Sequence, residues 1–204
     1  MDTMKKDLSS NGGFYTYADY CKFNDEKRRE IINGVIYLMS PGANLEHQII
    51  SGSLFNLFYN YLQDKKCHVF SAPFDVCLAK EGETRETISN VVQPDILVVC
   101  DKGKLKRRGC FGAPDLIIEI LSPSTSKRDI SIKFNLYQEH AVLEYWVVDP
   151  HHQRIDRFSF DKDTGKYKQA EYFDRNDAIT PVIFPDFTIK LEEVFPPLDE
   201  YEDE

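Results

Sequence analysis

The chain has 204 residues and a net charge of −9, and it is 42 % apolar and 29 % charged. That is the length and composition of one globular domain with a full core, and the acidity argues against a nonspecific nucleic-acid coat protein. It leaves room for a nucleic-acid enzyme with a local basic surface, because Leu191 to Glu204 hold seven acidic residues and no basic one, leaving −2 over the preceding 190.

Taken in chain order, residues 1–27 form an N-terminal segment with a short helix over Thr16 to Phe23, Thr16 being its N-cap. "REIINGVIYLM" (29–39) reads as two strands turning at Asn33-Gly34, a strong hairpin signal. After the break "SPGAN", Asn44 caps a helix to about Gln63, with Ile50, Leu54, Leu57, Phe58, Tyr61 and Leu62 along one face. "HVFSAPFDVCLA" (68–79) reads as a strand with an edge or bulge at Pro73. "VVQPDILVVC" (91–100) is another strand, followed by the basic loop "DKGKLKRRG". "PDLIIEILSPST" (114–125) supplies a third, ended by Ser122-Pro123.

A helix from about Ser126 to Glu139 follows, with Ile130, Phe134, Tyr137 and Ala141 as its apolar stripe. "VLEYWVVDP" (142–150) is a strand, and "QRIDRFSF" with "YKQAEYF" a hairpin around "DKDTGK". "ITPVIFPDFTIKLEEVF" closes the domain. The main domain thus covers 28–190 and an acidic tail 191–204, of which "PPLDEYEDE" is solvated and frayed. The element order implies an α/β (α+β) domain: a mixed sheet with helices on its faces.

The first ten residues lack an apolar signal core, and no stretch approaches roughly 18 uninterrupted apolar residues. Both point to the cytoplasm. Five cysteines (Cys21, Cys67, Cys77, Cys100, Cys110) follow no CxxC or zinc spacing. They read as free thiols.

The chemistry concentrates on two acids. Glu119 lies inside the apolar run of "LIIEIL", where an ionised carboxylate is expensive unless something satisfies it. Asp95 opens "DILVV". On adjacent strands the two carboxylates converge at the sheet surface and suit a hard divalent cation. The alternatives are an ion pair from Glu119 to Lys133 or Arg128, and a turn role for Asp95. Lys133 lies about 60° from Ile130 and about 40° from Tyr137 around its helix, at the border of the buried stripe and able to reach inward. Lys127 borders the other side, and a solvated lysine is the alternative for both. The five cations from Lys102 to Arg108 are either a solvated loop or a phosphate contact. No aromatic residue interleaves with them, so base stacking there is not supported.

The ordered set "REIINGVIYLMSP", "EHQII", "APFDVCL", "VVQPDILVV", "PDLIIEILSPST" and "KFNLYQEHAVLEYWVVDP" resembles the Uma2 family of endonucleases, within the restriction-endonuclease-like PD-(D/E)xK superfamily. The resemblance implies a restriction-endonuclease-like central mixed β-sheet flanked by helices. It implies Mg²⁺- or Mn²⁺-dependent cleavage of nucleic acid, DNA before RNA. Asp95 and Glu119 are then the acidic pair, with the main-chain carbonyl of Ile120 as a further metal ligand. The motif lysine falls at position 121, which is Leu121; the resemblance maps its role to Lys133. Glu30 and His47 map as further active-site positions, with a local structural hydrogen bond as the alternative for His47. Asp75 also maps, with a bulge cap as its alternative, and Glu46 reads as solvent-facing. A homodimer is expected, with the strands after Asp149 as the contact. Other functional readings are a nucleic-acid-binding module with a decayed site, favoured by Leu121, and a hydrolase using both carboxylates directly.

Overall fold

Two prolines decide the layout of the computed structural model, which describes residues 13–39, 44–122, 127–195 and 197, with the backbone alone over 127–129. Each of the runs 68–79 and 91–100, expected as one strand, is cut in two. Pro73 separates β3 (His68–Ser71) from β4 (Val76–Cys77), and Gln93-Pro94 separates β5 (Val91–Val92) from β6 (Ile96–Val99). Proline has no N–H to give a ladder, so the halves leave their first sheet and enter another. β3 and β6 join the central sheet, while β4 and β5 join a second one.

The central sheet runs β12-β11-β10-β9-β6-β3, with β13 also pairing β11. Here β9 is Leu116–Ile120, β10 Glu144–Asp149, β11 Arg154–Asp161, β12 Lys166–Tyr167 and β13 Glu171–Asp174. β9 and β10 are parallel, joined through helix α3 (Lys127–Glu139), and the remaining pairs are antiparallel. The second sheet runs β2-β1-β5-β4-β8-β7, with β1 Arg29–Ile32, β2 Val35–Leu38, β7 Leu105–Lys106 and β8 Gly109–Phe111. The β1–β2 turn holds Asn33 and Gly34 at φ 49° and 76°, as its sequence required. The basic segment 102–108, expected as a loop, is a single helical turn (102–104) followed by the β7–β8 hairpin. A small ladder of β14 (Ala178–Ile179) and β15 (Ile189–Lys190) closes the chain.

Side-chain alternation assigns the faces. Ile96, Val98, Leu116, Ile118, Ile120, Trp146 and Val148 pack against Ile50, Leu54, Phe58 and Leu62 of α2 (Leu45–Leu62). Leu97, Ile117, Tyr145 and Val147 face Leu136 and Tyr137 of α3 together with Ile32, Val76 and Val92 of the second sheet. A third cluster, Tyr17, Ile31, Ile36, Cys77, Ile88 and Val91, covers that sheet's far side. Tyr17 comes from α1 (Tyr17–Tyr20), whose N-cap Thr16 donates its N–H and hydroxyl to Asp19.

Three further expectations change. Ala141 does not extend the α3 stripe: the helix ends at Glu139, and Ala141 is exposed at φ 53° beyond it. Leu191, Val194 and Phe195 are buried, so the first residues of the acidic tail belong to the core; beyond them only Pro197 is among the described residues. The cysteines are not all free thiols, since Cys67 and Cys100 form a disulfide. They sit one step past the pair His68↔Val99 of the β3–β6 ladder, so the antiparallel register brings them opposite each other. The expected break over 40–43, the strand stop at Pro123 and the helix start at Ser126 lie outside the described residues. Among the described residues no helix is long and apolar enough to cross a membrane.

The pairing has a direct readout. Thiol titration of the denatured, unreduced protein is expected to find three thiols per chain, Cys21, Cys77 and Cys110, and five after reduction. Five thiols without reduction would contradict the disulfide.

Candidate active site

The ladder that joins β6 to β9 pairs Ile96 with Ile118. Asp95 is the residue before one and Glu119 the residue after the other, so the register sets the two acids opposite each other at one end of the central sheet. Glu119 alternates with Ile118 and Ile120 and therefore turns to the α3 side. There Lys133 Nζ lies 2.9 Å from its Oε1, and the Tyr137 hydroxyl donates to the same oxygen at 2.5 Å. Lys133 and Tyr137 are one helical turn apart, which puts both on one face of α3.

Lys133 is shared. Its Nζ also lies 2.9 Å from Oε1 of Glu30, a fully buried residue of β1. In β1, Glu30 and Ile32 point toward α3 while Ile31 points away, so the second sheet delivers this carboxylate. The backbone N–H of Gln93 donates to the same Glu30 oxygen at 2.9 Å. The Gln93 side chain donates to Asp75 Oδ1 at 2.8 Å and accepts from Arg28 at 3.0 Å. Tyr20 donates to Asp75 Oδ1 at 2.9 Å. Asp75 is thus a member of a polar network behind Glu30 rather than a bulge cap.

His47 arrives from the other face of the sheet. Asn44 caps α2 by accepting from the His47 N–H at 3.0 Å, and the ring Nε2 reaches to 3.2 Å from Asp95 Oδ2. That oxygen also accepts from the Ile120 N–H at 2.8 Å. The histidine therefore meets an acid across the sheet instead of making a purely local bond. Glu46, expected to face solvent, is half-buried in the same first turn. The side chains of Lys127 and Arg128 lie outside the described residues.

Glu30 and Glu119 thus hold one ammonium, and Asp95 meets one imidazole. Burial raises the Glu119 pKa to about 7; Lys133 pulls it down, and the charges of Asp95 and Glu30 push it up. Burial acts to lower the Lys133 pKa, but the charges of Glu119 and Glu30 outweigh it and hold the ammonium protonated. Burial also acts to lower that of His47, and the hydrogen bond and charge of Asp95 reverse the sign, so the imidazole is held above its ordinary value. Burial and the Glu119 charge keep the Tyr137 hydroxyl protonated.

The described contacts of Glu119 use Oε1 and those of Asp95 use Oδ2. Oε2 of Glu119 and Oδ1 of Asp95 are left over, with no hydrogen bond or ion pair found among the described residues. Glu30 Oε2 and His47 Nδ1 are buried without a hydrogen-bond partner among the described residues. No three His, Cys, Asp or Glu side chains among the described residues form a ready-made metal cage. The donor set matches the way Mg²⁺ is usually held, by one or two carboxylates with water and phosphate completing the shell.

All five expected side chains, Glu30, His47, Asp95, Glu119 and Lys133, therefore meet at one place, with the Ile120 backbone beside them. Two further members escaped the sequence reading. Tyr137 was assigned to the apolar stripe, and its spacing of four from Lys133 was the available signal. Gln93 carried only its place before Pro94-Asp95.

A fold of this kind with acids at the end of paired central strands is that of the restriction-endonuclease-like nucleases. The chain belongs to the Uma2 family, described as "Putative restriction endonuclease", whose model matches residues 14–192. It is 29 % identical over 143 residues to the "Uncharacterized protein slr1290" of Synechocystis sp., covering 69 % of this chain and 71 % of that one. Its fold is shared with a crystal structure described as "a putative nuclease belonging to DUF820" from Anabaena variabilis. The TM-score is 0.70 at 19 % identity, over 89 % of this chain and 97 % of that one.

Two variants test the electrostatics. Lys133→Met leaves Glu30 and Glu119 buried without their cation, and urea unfolding is expected to show a loss of about 3 kcal/mol or more; a loss under about 1 kcal/mol would contradict the paired geometry. The ordinary Glu pKa is 4.5 and the folded value is about 7. A raised folded value contributes stability that is full below the lower figure and lost as pH rises through the upper one. Glu119→Gln cannot ionise, so in EDTA its melting temperature is expected to gain on the wild type between about pH 5 and about pH 8. A difference that stays flat across that window would contradict the raised pKa.

Proposed function

We propose that this chain is a metal-dependent nuclease that hydrolyses phosphodiester bonds of nucleic acid, DNA before RNA. The observation that carries the reading is the convergence of Asp95, Glu119 and Lys133 at the end of β6 and β9. Membership of a family described as "Putative restriction endonuclease" supports it.

Asp95 and Glu119 would hold one Mg²⁺ or Mn²⁺ through their left-over oxygens, with the Ile120 carbonyl as a further ligand. Such an ion lowers the pKa of a bound water and screens the phosphate. Lys133 has three donors. Two point at Glu119 and Glu30, and the third is available to the attacking water or to the charge growing on a phosphate oxygen. This is the role that Leu121 cannot fill. Glu30 and Tyr137 would act as positioning residues, fixing Lys133 and Oε1 of Glu119. His47, with the Ile120 N–H, sets the rotation of the Asp95 carboxylate and so aims Oδ1.

Leu121 also favours a second reading, a nucleic-acid-binding module with a decayed site. Labelled single- and double-stranded DNA and RNA incubated with Mg²⁺, Mn²⁺ or EDTA separate the two. The nuclease reading expects cleavage that EDTA abolishes and that Asp95→Asn slows by about 10²-fold or more. Binding without cation-dependent cleavage would overturn it in favour of the second.

A further inference from the structure

The basic hairpin is a strongly charged surface that the carboxylate site does not use. Lys102, Lys106, Arg107 and Arg108 are all exposed. Elsewhere some exposed lysines lie against carboxylates (Lys22 on Asp19, Lys65 on Asp186, Lys80 on Glu139) and others, such as Lys66 and Lys162, do not, so it is the density of this cluster that sets it apart. None of these four lies within ion-pair distance of a described carboxylate. Four unneutralised cations within seven residues repel one another, and the chain as a whole carries −9. An uncompensated cluster of this kind is the electrostatic footprint of a polyanion.

The hairpin is also held in a fixed position. Lys104, the fifth cation, does not face solvent fully: its Nζ donates to the Ala113 carbonyl at 2.8 Å and its methylenes lie along Gly112. At the base of β8, Cys110 donates its N–H to the Asp75 carbonyl at 2.9 Å. Gly109, at φ +146°, lets the chains approach so closely that an added Cβ would fall 2.2 Å from that carbonyl oxygen. The side chain of Asp75 is held by Gln93, and the Gln93 N–H by Glu30. A continuous set of contacts therefore registers the hairpin against the active-site carboxylate.

From these observations we infer that the β7–β8 hairpin, with the helical turn that leads into it, grips the phosphate backbone of the nucleic acid that the site cleaves, through Lys102, Lys106, Arg107 and Arg108. The inference rests on the nucleic-acid reading above and adds where the polymer lies. β7 is four strand positions from β1, the strand of Glu30. At about 4.8 Å per position this is roughly 19 Å along the sheet. Phosphates are spaced about 3.4 Å apart along the axis of a duplex strand, so a nucleic acid reacting at the carboxylates presents phosphates five or six steps away at the hairpin. The cations carry no aromatic partner for bases, and the grip is therefore independent of sequence.

The test is fluorescence anisotropy of a labelled 20-base-pair DNA duplex in EDTA, as a function of salt. The proteins are the wild type and the variant Lys102→Gln, Lys106→Gln, Arg107→Gln and Arg108→Gln combined. All four positions are exposed, and an unchanged melting temperature establishes that the variant folds. The expected result is a fall in affinity of about 10-fold or more and a salt slope smaller by about three to four, at about 0.9 per lost phosphate contact. Equal affinity and slope for the two proteins would overturn the inference, as would a wild type that does not bind the duplex. Cleavage in Mn²⁺ is scored separately. A protein that binds through the hairpin and does not cut keeps this inference and loses the nuclease reading, and a protein that cuts with binding unaffected by the variant does the reverse.

Discussion

The ammonium of Lys133 lies between the carboxylates of Glu30 and Glu119, and the fold is arranged around that contact. Three elements meet there: β1 of the second sheet, β9 of the central sheet and α3 between them. Each group is expensive to bury alone, and removing one strands the others. The cluster thus fixes how the two sheets stand relative to each other while forming the floor of the candidate site. With Asp95 one ladder step from Ile96↔Ile118, the acids outnumber the cations that face them. Burial first, and then the charges of Asp95 and Glu30, raise the pKa of Glu119, and a buried carboxylate group of this kind is an environment that a divalent cation relieves.

The ion-pair reading of Glu119 and the metal-site reading are therefore not alternatives. The Lys133 contact uses one oxygen of Glu119 and leaves the other. An ordinary (D/E)xK arrangement would bring the lysine from the same strand, two residues on. Here position 121 is leucine and packs with the apolar cluster beneath α3, and the lysine comes from the following helix.

Much of this was legible in the sequence because it depends on local rules. Asn33-Gly34 dictated a hairpin, Asn44 a helix start, and the 60° and 40° offsets of Lys133 placed it at the edge of the buried stripe. The adjacency of the strands bearing Asp95 and Glu119 followed from two apolar runs with one connection between them. What stayed hidden depends on tertiary arrangement. Pro73 reads locally as an edge or bulge and 91–100 as one strand through Pro94, and nothing local says that the halves of each run enter different sheets. That exchange creates the second sheet, and with it the burial of Glu30 and the polar network of Gln93, Asp75 and Tyr20. Cys67 and Cys100 became partners only once the β3–β6 register was fixed. Tyr137 looked like a core aromatic because it is one: its ring packs edge-on against Tyr145 while its hydroxyl serves Glu119.

The second sheet thus has two duties, bringing Glu30 to Lys133 and carrying the basic hairpin at its edge. The central claim is that the left-over oxygens of Asp95 and Glu119 take a divalent cation, and calorimetric titration of Mn²⁺ into the metal-free protein at about pH 8, where Glu119 is ionised, tests it most directly. The expected result is binding of about one ion per chain that both Asp95→Asn and Glu119→Gln abolish or weaken severely. Absence of binding to the wild type, or binding that survives both substitutions unchanged, would contradict it.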